Sequence, residues 1–259
     1  MPSCLRIRWC VVLTWDQRMP DLSPQPDLLA IDNLRSWYGE SQALHGINLT
    51  VQRGETVTLL GRNGAGKTST LRSIMGLMRR REGAITFSGS ELIAASPDQI
   101  ARLGIGYCPE ERGIFAGLTV QENLMLPPII KAGGMTLAEI HQLFPNLAER
   151  SASQGTKLSG GEQQMLAIAR ILRTGADLLL LDEPTEGLAP VIIEQIGHAI
   201  QKLKERGYTI VLVEQNFNFA ASVSERFYVI EDGRVVDHIA AAEIADPTTV
   251  ANIHNYLSM

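Results

Sequence analysis

The sequence predicts an α/β fold: a parallel sheet flanked by helices, with an antiparallel β subdomain before it and an α-helical subdomain inserted into it. Three observations carry this prediction. A glycine-rich loop, Gly61-Arg62-Asn63-Gly64-Ala65-Gly66-Lys67-Thr68, joins an apolar run to a helix-compatible one. From Leu178 onward, apolar strand runs alternate with helical patterns, as strands buried on both faces require. From about 119 to 174 the pattern is helical.

Taken in order, Leu28 to Leu34 and Ile47 to Val51 alternate like strands of an antiparallel sheet. Arg53-Gly54-Glu55 turns the chain into a strand, Thr56 to Leu60, that feeds the glycine-rich loop. The helix after the loop, Thr70 to Met75, runs out near Gly76, with the basic Arg79-Arg80-Arg81 beyond it. Ala84 to Phe87 is a strand, and Pro97 to Arg102 a short helix with proline in its first turn. Ile105 to Cys108 is a short strand ended by Pro109. Thr119 to Leu124 is a capped helix start, and Leu137 to Phe144 carries an i, i+3, i+4 apolar stripe. Leu178 to Asp182 is a buried strand, Val191 to Arg206 a helix ended by Gly207, and Tyr208 to Glu214 a β-branched strand. Phe227 to Glu231 and Arg234 to Asp237 flank Asp232-Gly233, a two-residue hairpin turn. The domain reading is an extension over 1–27, one α/β domain over 28–239 and a tail over 240–259.

Composition narrows the function classes. Hydrophobic residues make up 45% of the 259 residues, ordinary for a globular protein. A net charge of −5 gives no reason to expect a nucleic-acid partner. Three cysteines, Cys4, Cys10 and Cys108, show no metal-ligand spacing and suit a reducing, cytoplasmic compartment. No run approaches the ~18–20 apolar residues that cross a bilayer. The Trp9 to Trp15 run follows Arg6 and Arg8, but no small-residue cleavage site follows it. Met19 opens the Pro20 to Pro26 stretch and is the expected biological start.

The chemistry begins at the loop, which fits G-x-x-x-x-G-K-[ST] in the strand–loop–helix context that a P-loop NTPase core needs. Backbone N–H groups of such a loop wrap a phosphate chain, and the helix N-terminus adds partial positive charge. Lys67 is expected to reach the β- and γ-phosphates, and the Thr68 hydroxyl to sit on Mg²⁺. Leu178-Leu179-Leu180-Leu181-Asp182-Glu183 delivers two carboxylates to the carboxyl end of a buried strand, 115 residues after Lys67. Asp182 is expected in the Mg²⁺ shell, and Glu183 facing the γ-phosphate to polarise the attacking water. In Leu158-Ser159-Gly160-Gly161-Glu162-Gln163-Gln164, two glycines precede a helix-forming run, Gln163 to Leu172, and the serine hydroxyl with the free N–H groups at that helix start makes a second anion site, while Ser159 also suits an N-cap.

With these motifs, residues from about Leu28 to Asp237 resemble the nucleotide-binding subunits of ATP-binding-cassette (ABC) transporters. The resemblance implies a homo- or heterodimer in which the phosphate loop of one subunit and Ser159, Gly160 and Gly161 of its partner sandwich ATP. It implies that Tyr38 stacks on adenine and that Ser69 joins Gly61 to Thr68 in ATP binding. Glu110 then occupies the position that senses Mg²⁺, Gln215 the catalytic switch position, and Thr185 to Ala189 the loop that couples the two sites. Three departures stand out: Glu110 replaces glutamine, Gln215 replaces histidine, and Ala189 stands where many cassettes carry aspartate. A glutamine amide donates a hydrogen bond but has no titrating proton, which excludes a histidine-type shuttle.

Pro109-Glu110, Ile114 to Leu124, Gly160 to Arg170, Gly187-Leu188-Ala189-Pro190 and Val213-Glu214-Gln215-Asn216 resemble the second ATPase subunit of branched-chain (hydrophobic) amino acid importers. That implies transmembrane permeases, a second cassette subunit and, indirectly, a periplasmic binding protein as partners, and a place on the cytoplasmic face of the inner membrane. Arg112 and Phe115 are candidates for docking the membrane subunit. The ATPase of urea or short-amide importers and that of aromatic amino acid importers are the nearest alternatives. A non-transport cassette is the alternative of a different class.

Overall fold

The computed structural model describes residues 27–258. Cys4, Cys10, the Met19 start and the Pro20 to Pro26 stretch lie outside them. The first strands, β1 (Leu29–Tyr38) and β2 (Ser41–Val51), pair antiparallel around Gly39-Glu40, with Tyr38 opposite Ser41 and Leu29 opposite Val51. Both are longer than the apolar alternation suggests. Their inner face carries Leu34, Ser36, Leu44 and Ile47, all buried, while the outer face is polar. There the Arg80 guanidinium sits 4.1 Å from the Trp37 ring centroid.

The phosphate-loop strand is β3 (Thr56–Leu60), followed by α1 (Lys67–Ile74). Next, β4 (Arg80–Phe87) and β5 (Ser90–Glu91) complete a four-stranded sheet in the order β2-β1-β4-β5. Two of the three arginines beyond α1 therefore open a strand. Arg81 donates to the Ser73 carbonyl at 2.8 Å and the Ala95 carbonyl at 3.0 Å, closing the end of α1.

Strand β3 is central to a second sheet with β6 (Ile105–Cys108), β7 (Leu178–Asp182), β8 (Thr209–Glu214), β9 (Arg226–Glu231) and β10 (Arg234–Ala240). Its order is β10-β9-β3-β8-β7-β6, parallel from β9 to β6, with β10 antiparallel to β9. The Asp232-Gly233 turn has positive φ at both residues, 44° and 69°, the primed geometry that matches strand twist.

The apolar runs are unbroken because both faces are covered. Leu178 and Leu180 of β7 and Val211 and Val213 of β8 enter the core between the two sheets, shared with Leu71 and Ile74 of α1. Leu179, Leu181, Ile210 and Leu212 enter the opposite core, shared with α6 (Gly160–Leu172) and α7 (Pro190–Glu205).

The remaining helices are α2 (Pro97–Leu103), α3 (Val120–Met125), α4 (Leu137–Leu143), α5 (Pro145–Glu149), α8 (Phe217–Val223) and α9 (Pro247–Ser258). Helices α3, α4 and α6 each open on a capping box: Thr119 with Glu122, Thr136 with Glu139, and Ser159 with Glu162. The box moves the start of α6 back to Gly160, ahead of the apolar stripe. The sequence reading includes neither α5 nor α8, helices of five and seven residues. Helix α9 covers a third apolar cluster, in which Ile253 is buried with Leu60, Phe217, Phe227, Val229 and Ile239. Ile253→Ala should lower unfolding free energy by about 2–4 kcal/mol in urea titration, through lost burial and a residual cavity.

Candidate functional site

The phosphate loop leaves β3 at Gly61, where φ is +153° and an added Cβ would stand 2.3 Å from the Ile230 carbonyl oxygen. It closes at Gly66, with φ +112°, directly before α1. Only glycine fits these positions without moving backbone. Inside the loop Lys67 is 3% exposed. Its ammonium donates to the Gly61 carbonyl at 2.9 Å and the Arg62 carbonyl at 3.0 Å, and pairs with Glu183 at 3.3 Å. Asn63, Gly64, Gly66, Lys67, Thr68 and Ser69 form one wall of a cavity of about 350 Å³. Glu110, Glu183 and Glu186 form the other. Ala65 is buried beneath the loop. Tyr38 is half exposed near the loop, its hydroxyl 3.4 Å from the donating Ser69 hydroxyl.

Asp182 ends β7, buried. Its Oδ1 accepts from the Thr68 hydroxyl at 2.9 Å and its Oδ2 from the Tyr107 hydroxyl at 3.0 Å. Burial pushes its carboxyl above the usual range, against the pull of those two hydrogen bonds, and the Glu183 and Glu110 charges push the same way. Glu183 follows with φ +46°, a left-handed conformation that few side-chain-bearing residues adopt. Its N–H donates to the Val213 carbonyl at 3.0 Å, anchoring the turn to β8. Its carboxylate accepts from the Gln215 amide at 2.7 Å, opposite Lys67. The structure therefore brings Lys67, Thr68, Glu110, Asp182, Glu183 and Gln215 together from four separate segments.

It does not bring Ser159, Gly160 and Gly161 to this cavity, whose walls they do not form. The Ser159 hydroxyl accepts from the Glu162 N–H at 3.3 Å, and an added Cβ on Gly161 would stand 2.6 Å from Ile192. Arg112, a docking candidate by sequence, turns toward this helix. Its guanidinium donates to the Gln163 side-chain oxygen at 3.3 Å and lies against Gly160. Phe115 stays half exposed, with the Arg170 guanidinium 4.9 Å from its ring centroid.

Residues 44–186 match the ABC transporter family. This chain belongs to that family. Among its relatives, the high-affinity branched-chain amino acid transport ATP-binding protein BraG of Pseudomonas aeruginosa is 42% identical, over 84% of this chain and 94% of its own. The branched-chain amino acid transport ATP-binding protein LivF of Archaeoglobus fulgidus is 34% identical over 85% and 94%. The lipopolysaccharide export ATP-binding protein LptB of Escherichia coli K12 is 32% identical over 87% and 96%. A dimeric cassette solved in a post-hydrolysis state with ADP and Pi aligns at a TM-score of 0.71 and 28% identity, over 82% of this chain and 98% of its own. A nucleotide-free cassette aligns at 0.75 and 22%, over 88% and 99%, a likeness of fold. The chain is an ABC transporter ATP-binding subunit and an ATPase. Among its described residues no helix is long and apolar enough to cross a membrane.

The sequence reading gives Tyr107, Glu186 and Glu214 no role of their own, although Glu186 and Glu214 lie within its motifs. Tyr107 lies in register with Leu180, which places its phenol beside the end of β7, a signal available only once β6 and β7 are known neighbours. Burial raises its pKa, as does the Asp182 charge, so the phenol stays a donor to that carboxylate. Cys108, the next residue, is buried, and its thiol is pushed up to about 12. At pH 8 the thiolate fraction is then about 10⁻⁴. In a chain carrying Cys4→Ser and Cys10→Ser, the native protein should leave a thiol reagent unreacted at pH 8, and denaturant should release one equivalent.

Proposed function

We propose that this chain powers import of branched-chain (hydrophobic) amino acids, hydrolysing ATP at the cavity between the phosphate loop and Glu183. The observation that carries the cargo assignment is the 42% identity to BraG across 84% of the chain, against 32% to 34% to LptB proteins. Permease subunits, a second cassette and a periplasmic binding protein are the partners of this reading, and the cytoplasmic face of the membrane is its place.

In the proposed chemistry, triphosphate oxygens replace the Gly61 and Arg62 carbonyls as the partners of Lys67. An anion is the stronger acceptor for an ammonium. Backbone N–H groups of Asn63 to Ser69 hold the phosphate chain, and Tyr38 holds the base. Glu183 orients the attacking water and accepts its proton. Gln215 keeps the Glu183 carboxylate aimed and donates toward the γ-phosphate. Thr68, Asp182 and Glu110 are the residues to hold Mg²⁺. Among the described residues no three His, Cys, Asp or Glu converge as a closed metal cage. A few hard oxygen donors beside a phosphate site suit Mg²⁺, which takes its other ligands from phosphate and water. When bound, the ion neutralises charge on the phosphoryl oxygens. Ser159, Gly160 and Gly161 stand away from their own subunit's cavity and serve the ATP of a second cassette.

Glu183→Gln should lower kcat by 100-fold or more with KM for ATP changed little, since proton acceptance is lost and phosphate binding is kept. Size exclusion with ATP should then show an accumulated dimer; turnover at the wild-type rate would remove Glu183 from its role. For the cargo, uptake of labelled leucine, phenylalanine and urea is compared in cells whose native copy carries Lys67→Ala. Selective loss of leucine uptake is the expected result. Loss of phenylalanine or urea uptake alone would replace the cargo. Intact uptake of all three with defective lipopolysaccharide export would favour the LptB-like reading.

A further inference from the structure

The Glu214 carboxylate takes no part in the steps above, yet it lies 3% exposed at the end of β8, next to Gln215. One of its oxygens accepts from the Thr185 hydroxyl at 2.7 Å and from the Thr185 N–H at 3.3 Å. The other accepts from the N–H groups of Gln215 at 3.2 Å and Asn216 at 3.3 Å. These donors come from two segments: the turn after Glu183 and the start of α8. Burial pushes the carboxyl above its usual range, and all four donors act to hold it ionised. An apolar side chain here would avoid that desolvation but leave the three backbone N–H groups without this acceptor.

We propose that Glu214 is a positioning residue that fastens the 185–189 turn and the Gln215 backbone to one strand end, so that the Gln215 amide stays on the Glu183 carboxylate and the turn and switch move as one body. This rests on the reading of Glu183 and Gln215 given above. The contact it sets is the 2.7 Å hydrogen bond from Gln215 to Glu183. Glu214 acts through that bond and leaves the phosphate loop untouched.

The test is a cycle of E214Q, Q215A and the double variant, measured for kcat and KM with ATP in the full-length chain. E214Q keeps size and one acceptor oxygen but turns an NH₂ toward N–H donors. It should lower kcat about 10-fold with KM within about 2-fold of wild type. In the Q215A background E214Q should cost nothing more. A wild-type kcat for E214Q overturns the proposal, as does a loss that simply multiplies with that of Q215A. Wild-type turnover by Q215A would remove the Gln215 reading itself. That failure is distinct from a slow Q215A beside an unaffected E214Q, which removes only the role of Glu214. If E214Q does not fold, T185V, which deletes one donor and buries no new charge, replaces it under the same criteria.

Discussion

The buried Lys67 ammonium is the interaction on which the rest of the site depends. An isolated charge at 3% exposure would be destabilising by several kcal/mol, so every group around it is committed to holding it. Two loop carbonyls and the Glu183 carboxylate do so. The two carbonyls are the weaker of these holders, because an ammonium prefers an anionic acceptor to a neutral one. In the proposed chemistry the same lysine turns to the triphosphate.

Sheet order supplies the convergence. Strand β8 lies between β3 and β7, so Gln215 emerges between the loop that carries Lys67 and the turn that carries Glu183. All three strands run parallel and end on the same edge, where a side chain leaves apolar surroundings for a polar cleft. Both faces of β7 and β8 are packed, which fixes the depth of Asp182 and Glu183 to within the tolerance of a core. The left-handed backbone at Glu183 is strain held by that packing and by the Val213 hydrogen bond.

The acidic side of the cleft is unbalanced. Asp182 is raised by burial and by the Glu183 and Glu110 charges. Glu186 is raised by burial and then by its contacts with Glu183 and Glu110. Such crowding is relieved by a cation. In the proposed Mg²⁺ site, Glu110 would offer an oxygen donor at the position where the resembled cassette pattern has glutamine.

The sequence by itself determined the parts whose signals are local. The G-x-x-x-x-G-K-[ST] loop, the apolar strand ending in Asp182-Glu183 and the Asp232-Gly233 hairpin each depend on neighbours within a few residues. Backbone conformation and burial follow directly from such spacing. It also predicted both sheets, although β1 and β2 extend beyond their apolar cores because polar outer-face residues hide the alternation. Tertiary structure alone decided the rest. That Tyr107 donates to Asp182 and that Glu214 bridges Thr185 and Gln215 depends on which parallel strands are neighbours. The same holds for α9, whose Ile253 is buried with Phe227, and for Arg112, which turns to the α6 start. Strand order and the docking of distant segments are set by summed packing of the whole chain, and no short stretch of sequence encodes them.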